Sequence, residues 1–184
     1  MAFISYEEFG INFVSLAVTP QRVEDAVAKA AGGGFRIGPI AAGPGGIAVV
    51  SADGTIADVR VERIDGTMLR YKATLGIELN LEVRLAGVPY RYRGDIEVPL
   101  SLVVQTADPL SLVIEVRPVN AADVSVDLRS AGISASVLQR VGNMEEEVRK
   151  QVVETVNRRV GSEEARRSRH FDIASMLDKP LPTD

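Results

Sequence analysis

The side chains best equipped for chemistry cluster late in the chain. His170 is the single histidine. Asp172 lies two residues on, on the same side of an extended strand, and Arg169 precedes it. A carboxylate-oriented imidazole could act as a general base. The chain has no cysteine, and no serine is marked as its nucleophilic partner. A solvated histidine is the plainer reading. Arg166, Arg167 and Arg169, with Arg158 and Arg159 upstream, form a basic knot that could hold an anionic head group. The neighbouring Glu163 and Glu164 favour a solvated helix end instead. Glu145 to Glu147 resembles a carboxylate cluster for metal, but consecutive helical residues face different ways, and compensation of the helix dipole explains the triplet better. Residues 38–46, GPIAAGPGG, lack the Lys-Ser/Thr of a phosphate loop and any dinucleotide fingerprint. They read as a flexible entry to a sheet. The sequence thus calls for no catalytic set, no metal ligands and no cofactor.

Three tyrosines are more informative. Tyr90 and Tyr92 fall on the apolar face of a long alternating stretch, and Tyr71 does so across a turn. An aromatic ring with a polar tip in an aliphatic lining can hold a ligand oxygen. The alternative is a rim tyrosine with its hydroxyl in water.

Composition narrows the classes. At 184 residues the chain can bury a substantial core as one domain, read here as 1–178 with a flexible tail at 179–184. A net charge of -4 leaves no electrostatic footprint for nucleic acid. Glu7 and Glu8 stand where a signal peptide needs positive charge, and no stretch approaches eighteen apolar residues, so the expectation is a cytoplasmic protein without a transmembrane segment. With aromatics at 5% and no tryptophan, the interior must be built from aliphatic side chains.

The organising element is the segment from Ser134 to Gly161. Val137, Val141, Met144, Val148, Val152, Val156 and Val160 fall on one stripe of a helix. Asn143 with Glu145 to Glu147 suits a helix start, Arg158 and Arg159 suit a last turn, and Gly161 suits a left-handed stop. Gly142-Asn143 suggests a kink or two helices in series.

Such a stripe needs a long apolar partner, which the preceding residues supply. Leu69, Tyr71, Ala73, Leu75, Ile77, Leu79, Leu81, Val83 and Leu85 occupy successive odd positions, with polar residues between. After a turn at Ala86-Gly87 the pattern continues on even positions from Val88 to Val104. At about 3.3 Å per residue, either strand would run on the order of 60 Å if straight. Gly76 and Gly94 are the expected bends or bulges, and Pro99 points to an edge. Asp53-Gly54 and Asp65-Gly66 read as hairpin turns. Shorter strands follow around Leu110–Val116 and Val124–Leu128, and Phe171 could close an edge. At the start, Ser5 and Glu8 form a capping box for a helix over 5–17 whose Tyr6, Phe9, Phe13, Leu16 and Ala17 share a face. Thr19-Pro20 opens a second helix, ended by Gly32-Gly33-Gly34.

A sheet apolar on one side only is antiparallel, and when long it twists and coils. The predicted fold is therefore α+β: a long, curved antiparallel β-sheet wrapped around a long C-terminal α-helix, with N-terminal helices covering an end or edge.

The long hairpin at 67–105, the shorter strands, VGNMEEEVRKQVVETVNRRV and the closing RHFDIASML together resemble the tubular lipid-binding (TULIP) superfamily, which includes BPI- and SMP-type domains. The spaced pattern Ala17-Val18-Thr19, Gly38-Pro39, Ser51 to Gly54, Val98 to Leu100 and Ala135 to Val141 is similar to actinobacterial sequences. The helix-grip fold of START-like proteins is the second match. Both superfamilies enclose apolar ligands between sheet and helix. The resemblance implies a binder or carrier of a hydrophobic, lipid-like molecule. The corresponding lining comprises Tyr71, Leu75, Ile77, Leu79 and Leu81 of the first long strand, and Tyr90, Tyr92, Ile96, Val98 and Leu100 of the second. Val141, Met144, Val148 and Val152 complete it from the helix. A cyclase of polyketide- or terpenoid-like substrates working by pocket shape, and a dimerisation module with a possible homodimer, are the alternatives.

Overall fold

A computed structural model describes residues 2–42, 44–66, 68–130 and 144–177. The strict alternation of residues 69–104 becomes two antiparallel strands, β3 (Arg70–Leu85) and β4 (Val88–Ala107), paired without interruption from Arg70↔Val103 to Leu85↔Val88. Ala86 (φ 48°) and Gly87 (φ 85°) supply the two left-handed residues of a tight hairpin turn. On β3 every odd-numbered residue from Tyr71 to Val83 is buried, and on β4 so are Tyr92, Ile96, Val98, Leu100, Leu102 and Val104. The even side of β3 carries Arg70, Lys72, Glu78 and Glu82 toward solvent or half-exposed positions.

β2 (Ala48–Ile64) flanks β3, and β1 (Gly34–Ala42) flanks β2. The far side of β4 is shared by β6 (Ser125–Ser130), against Tyr92–Glu97, and β5 (Ser111–Val116), against Leu102–Ala107. Pro99 falls in the interval between them, where its missing N–H costs no ladder bond on that side. β7 (His170–Asp172) extends the sheet beyond β5, so Phe171 does close an edge. The seven-stranded sheet is antiparallel and curled into a half-barrel, and with the helices it is α+β.

Two turn assignments are corrected. Asp53-Gly54 is no hairpin: β2 runs straight through it. Gly54 pairs with Phe35, whose ring lies so close that a Cβ on Gly54 would stand 2.5 Å from its Cζ, while Asp53 pairs with Arg36 at 2.7 Å. The glycine makes room for an aromatic ring across the strand rather than reversing the chain. The stretch 38–46 is likewise not a loop throughout. β1 continues to Ala42, and the reversal comes at a 3-10 turn, Pro44–Gly46. Asp65-Gly66, by contrast, does lie in the β2–β3 connection.

Gly76 marks a bulge as expected. It stands opposite Asp58, and the register slips between Ile56 and Asp58. One extra residue, Ala57, exchanges the faces of the strand. Before it the inward residues of β2 are the even Ala48, Val50 and Ala52; after it they are the odd Val59 and Val61. Gly94 is not a bulge, because pairing there is continuous; Leu128 of β6 lies over it, 2.5 Å from where a Cβ would be.

The long helix expected over 134–161 is not shown: the described part is the 17-residue α3 (Met144–Val160), and Val137 and Val141 lie outside the described residues. Val148, Val152 and Val156 are buried in the common core. Gly161 ends the helix without a left-handed φ. Polar groups set the position of α3: the Asn157 amide donates to Val119 O at 3.0 Å and accepts from Val119 N at 2.8 Å. At the same end Arg159 donates to Ala31 O and, at 2.7 Å, to Gly34 O, its guanidinium 5.8 Å from the centre of the Phe35 ring. Short helices α4 (Glu163–Arg167) and α5 (Ile173–Leu177) bracket β7.

Both N-terminal helices form where the caps place them. In α1 (Tyr6–Ala17) Ser5 accepts from Glu8 N, and in α2 (Pro20–Ala31) Thr19 accepts from Arg22 N. α2 packs on β2 and buries Val23. Ala17 does not share the aromatic face of α1 as its spacing suggests. Val14 and Ala17 turn toward the core, while Tyr6, Phe9, Phe13 and Leu16 are exposed.

Asn157→Ala should lower stability by about 2–3 kcal/mol, since it strands both polar groups of the buried Val119; urea denaturation measures it. The two glycines Gly38 and Gly10 should answer alanine with opposite signs. At Gly38 (φ 84°) a Cβ would meet Val50 O at 2.4 Å, so Gly38→Ala should cost at least about 1–3 kcal/mol. At Gly10, inside α1, nothing lies within 4 Å, so Gly10→Ala should raise the denaturation midpoint, by about 0.5–1 kcal/mol in stability.

Candidate functional site

The residues expected from the sequence to line a site lie largely on the inner face of the β3–β4 ribbon. Alternation alone places them there: each second residue of an antiparallel pair shares one face, and the aliphatic ones must leave water. Tyr71, Leu75, Ile77, Leu79, Leu81, Tyr92, Ile96, Val98 and Leu100 are all buried and belong to one contiguous core cluster with Val148 and Val152 of α3. Tyr90 is half-buried at the margin of that cluster. Met144 begins α3, its side chain outside what is described, and Val141 lies outside the described residues.

The tyrosines are separated rather than convergent. Tyr71 pairs with Leu102, ten positions along β4 from Tyr92, so the two rings stand about 33 Å apart along the sheet. They cannot grip one small polar group together. Tyr71 is accounted for by the fold: its hydroxyl donates to Val18 O, fastening the end of α1 to the sheet. Tyr92, opposite Leu81 on one side and Ser130 on the other, is 2% exposed, and its hydroxyl has no hydrogen-bond partner among the described residues. Burial pushes both phenols above the ordinary tyrosine value, and the neighbouring Tyr90 adds to this at Tyr92. Each therefore stays a neutral donor throughout the physiological range.

Exposure is graded along this end of β4. Val88 is exposed beside the hairpin turn, Tyr90 is half-buried, and Tyr92 is closed off. The apolar row thus runs out to solvent at the Ala86–Gly87 tip, and Tyr92 stands two steps in from that margin. Shallow hollows open elsewhere among the described residues. One, of about 560 Å³, lies between Ala121, Ala122 and the start of α3; another, of about 260 Å³, lies between α2 and β2. Neither is lined by an inward residue of β3 or β4.

The remaining polar candidates have structural work. Asp172 accepts from Ser175 N at 3.1 Å and from the Ser175 hydroxyl, bonds that hold its carboxylate below the usual range and start α5. It caps a helix instead of orienting His170, which is exposed on an edge strand. Three arginines of the basic knot have partners of their own. Arg169 donates to Val160 O and Ala165 O, each at 2.8 Å, Arg159 holds the α2–β1 junction, and Arg167 pairs with Glu163. Glu146 and Glu147 border the larger hollow, and no group of metal-ligating side chains occurs among the described residues. Asn157, which with Arg159 fastens the helix over the sheet, was missed by sequence reasoning. A lone amide within the valine-rich run VVETVNRRV was the available signal.

Replacing the two buried tyrosines should separate their roles. Tyr71→Phe strands Val18 O and should destabilise by about 1–2 kcal/mol. Tyr92→Phe removes a hydroxyl with nothing to bond and should leave the unliganded protein as stable or about 1 kcal/mol more so. Thermal or urea denaturation of the pair distinguishes them by sign.

No protein-family model matches the chain, and no curated protein matches it significantly. Among solved structures, one titled "Crystal structure of lipopolysaccharide binding protein" aligns with 87% of this chain at 12% identity and a TM-score of 0.37. The match takes in 40% of that protein, so the chain spans about two fifths of its length. A superposition that loose fixes neither topology nor ligand.

Proposed function

We propose that this protein binds or carries a hydrophobic, lipid-like molecule on the inner face of the curled sheet, beneath α3, as a domain of the tubular lipid-binding type. The observation that carries the reading is the Tyr92 hydroxyl, buried in an aliphatic row with no partner among the described residues. An unpaired buried hydroxyl costs about 1–3 kcal/mol. A ligand oxygen arriving beside it would recover that cost, while the ligand's chain lies along Leu79, Leu81 and Val83. The graded exposure from Val88 through Tyr90 to Tyr92 makes the hairpin tip the natural entrance.

The energetics suit a weakly specific binder. Each buried methylene contributes roughly 0.8 kcal/mol, so a ten-carbon chain supplies about 8 kcal/mol before association costs. Affinity then comes from length, and Tyr92 sets which end of the molecule goes in. Leu75, Ile77, Ile96, Val98 and Leu100, with Val148 and Val152 from the helix, are the proposed continuation of the lining. Val141 and Met144 are proposed lining residues at the start of the helical stripe.

The test uses the purified full chain. Native mass spectrometry and solvent extraction should recover an apolar molecule, and a fluorescent fatty-acyl probe should bind and be displaced by long-chain acids or alcohols. Tyr92→Phe should weaken oxygen-bearing ligands about tenfold, the equivalent of one hydrogen bond, and leave binding of a plain alkane unchanged. Absence of both a co-purifying apolar molecule and probe binding would refute the proposal.

A further inference from the structure

The N-terminal helix presents an apolar surface that the described residues leave uncovered. Phe3 and Tyr6 are each 96% exposed, Leu16 75%, Phe9 60% and Phe13 40%. At about 200 Å² per aromatic side chain, these residues expose on the order of 700 Å². The largest apolar patch of a typical monomer is about 300–600 Å², and one side of a standard interface buries about 800 Å².

The spacing of the patch narrows what covers it. Tyr6, Phe9, Phe13 and Leu16 follow one another at steps of three, four and three, the a/d seam of a helix that packs against another helix. Phe9 and Phe13 stack on one another with centroids 6.4 Å apart and planes at 19°. The last turn of the helix is anchored to the rest of the fold. Val14 and Ala17 pack on the core, Val18 O is held by Tyr71, and Arg22 donates to Leu16 O and Ala17 O at 3.4 and 3.0 Å. Charge argues against a lipid surface as the partner. Residues 2–21 contain Glu7 and Glu8 and neither lysine nor arginine, whereas interfacial helices rely on basic residues to meet anionic head groups.

We propose that this seam is the interface with a second copy of the same chain, two α1 helices pairing antiparallel about a twofold axis. A twofold interface joins a patch to itself, and the order of residues along this patch lets it pair with its own reverse. Antiparallel pairing sets Tyr6 of one copy against Leu16 of the other and Phe9 against Phe13. It also brings Glu7 and Glu8 toward the partner's Arg22 at the opposite helix end, opposes the helix dipoles, and keeps four glutamates from meeting.

Light scattering and sedimentation velocity of the full chain over a range of concentrations should show a dimer that dissociates on dilution. Phe9→Glu combined with Leu16→Glu should be monomeric throughout, with unchanged circular dichroism. Because the chain has no cysteine, Tyr6→Cys and Leu16→Cys chains can be mixed and oxidised. The mixed disulfide should exceed the Tyr6→Cys self-pair several-fold. A wild-type monomer at every concentration overturns the proposal, as does a double variant that remains dimeric. A monomer that floats with phosphatidylcholine vesicles replaces the second copy with a membrane. A dominant self-pair overturns the antiparallel arrangement.

Discussion

One constraint governs this molecule: the β3–β4 ribbon is apolar on a single side for most of its length. Aliphatic residues spaced two apart have to leave water together, and a pleated strand can satisfy them only by turning one whole face inward. Uninterrupted pairing from Arg70↔Val103 to Leu85↔Val88 follows, because a slip of one residue would expose the entire row. The outer face collects the charges as exposed cross-strand pairs, such as Arg60 with Glu97 at 2.6 Å, each contributing little in water. The extra residue at Ala57 lets β2 follow the curling ribbon while changing which residues face inward.

What covers the inner face is fastened by polar groups. The valines of α3 supply burial but no direction, since one aliphatic contact substitutes for another. Asn157 gripping both groups of Val119, and Arg159 gripping two carbonyls at the α2–β1 junction, determine where the helix stops along the trough. Tyr71 does the same for α1. Against this background Tyr92 stands out: a hydroxyl equally buried, on the same face, with no described group to receive its proton. Every other buried tether in this part of the molecule is explained by the fold, which is why the proposed ligand contact is placed there.

Legibility from sequence followed the range of the interaction. The ribbon, the Ala86-Gly87 and Asp65-Gly66 turns, the caps of α1 and α2 and the break at Gly76 are all set by residues within a few positions, or by a repeating pattern. Asp53-Gly54 misled because the same dipeptide that suits a tight turn also suits a flat bed for a neighbouring ring, and only Phe35 across the strand distinguishes the two. Gly and Pro across 38–46 signal irregular backbone, whereas residues 38–42 occupy a bulged edge strand. The spacing of α1 marks its aromatic stripe as one face, but Ala17, expected on that face, packs on the core while the aromatics face outward. Periodicity reports that a face is apolar, not which neighbour, if any, meets it.

The sequence by itself determined the one-sided ribbon, the antiparallel α+β class, the positions of the two capped helices and the absence of a thiol chemistry, because each depends on residue type and short-range spacing. Only the tertiary structure decided that Tyr71 is a fastening while Tyr92 is unpaired, that Arg159 and Arg169 bind carbonyls instead of an anion, and that the aromatic side of α1 faces outward. Those outcomes depend on which groups lie within hydrogen-bonding or packing distance after chain segments far apart in sequence have been brought together, and that distance is set by the fold.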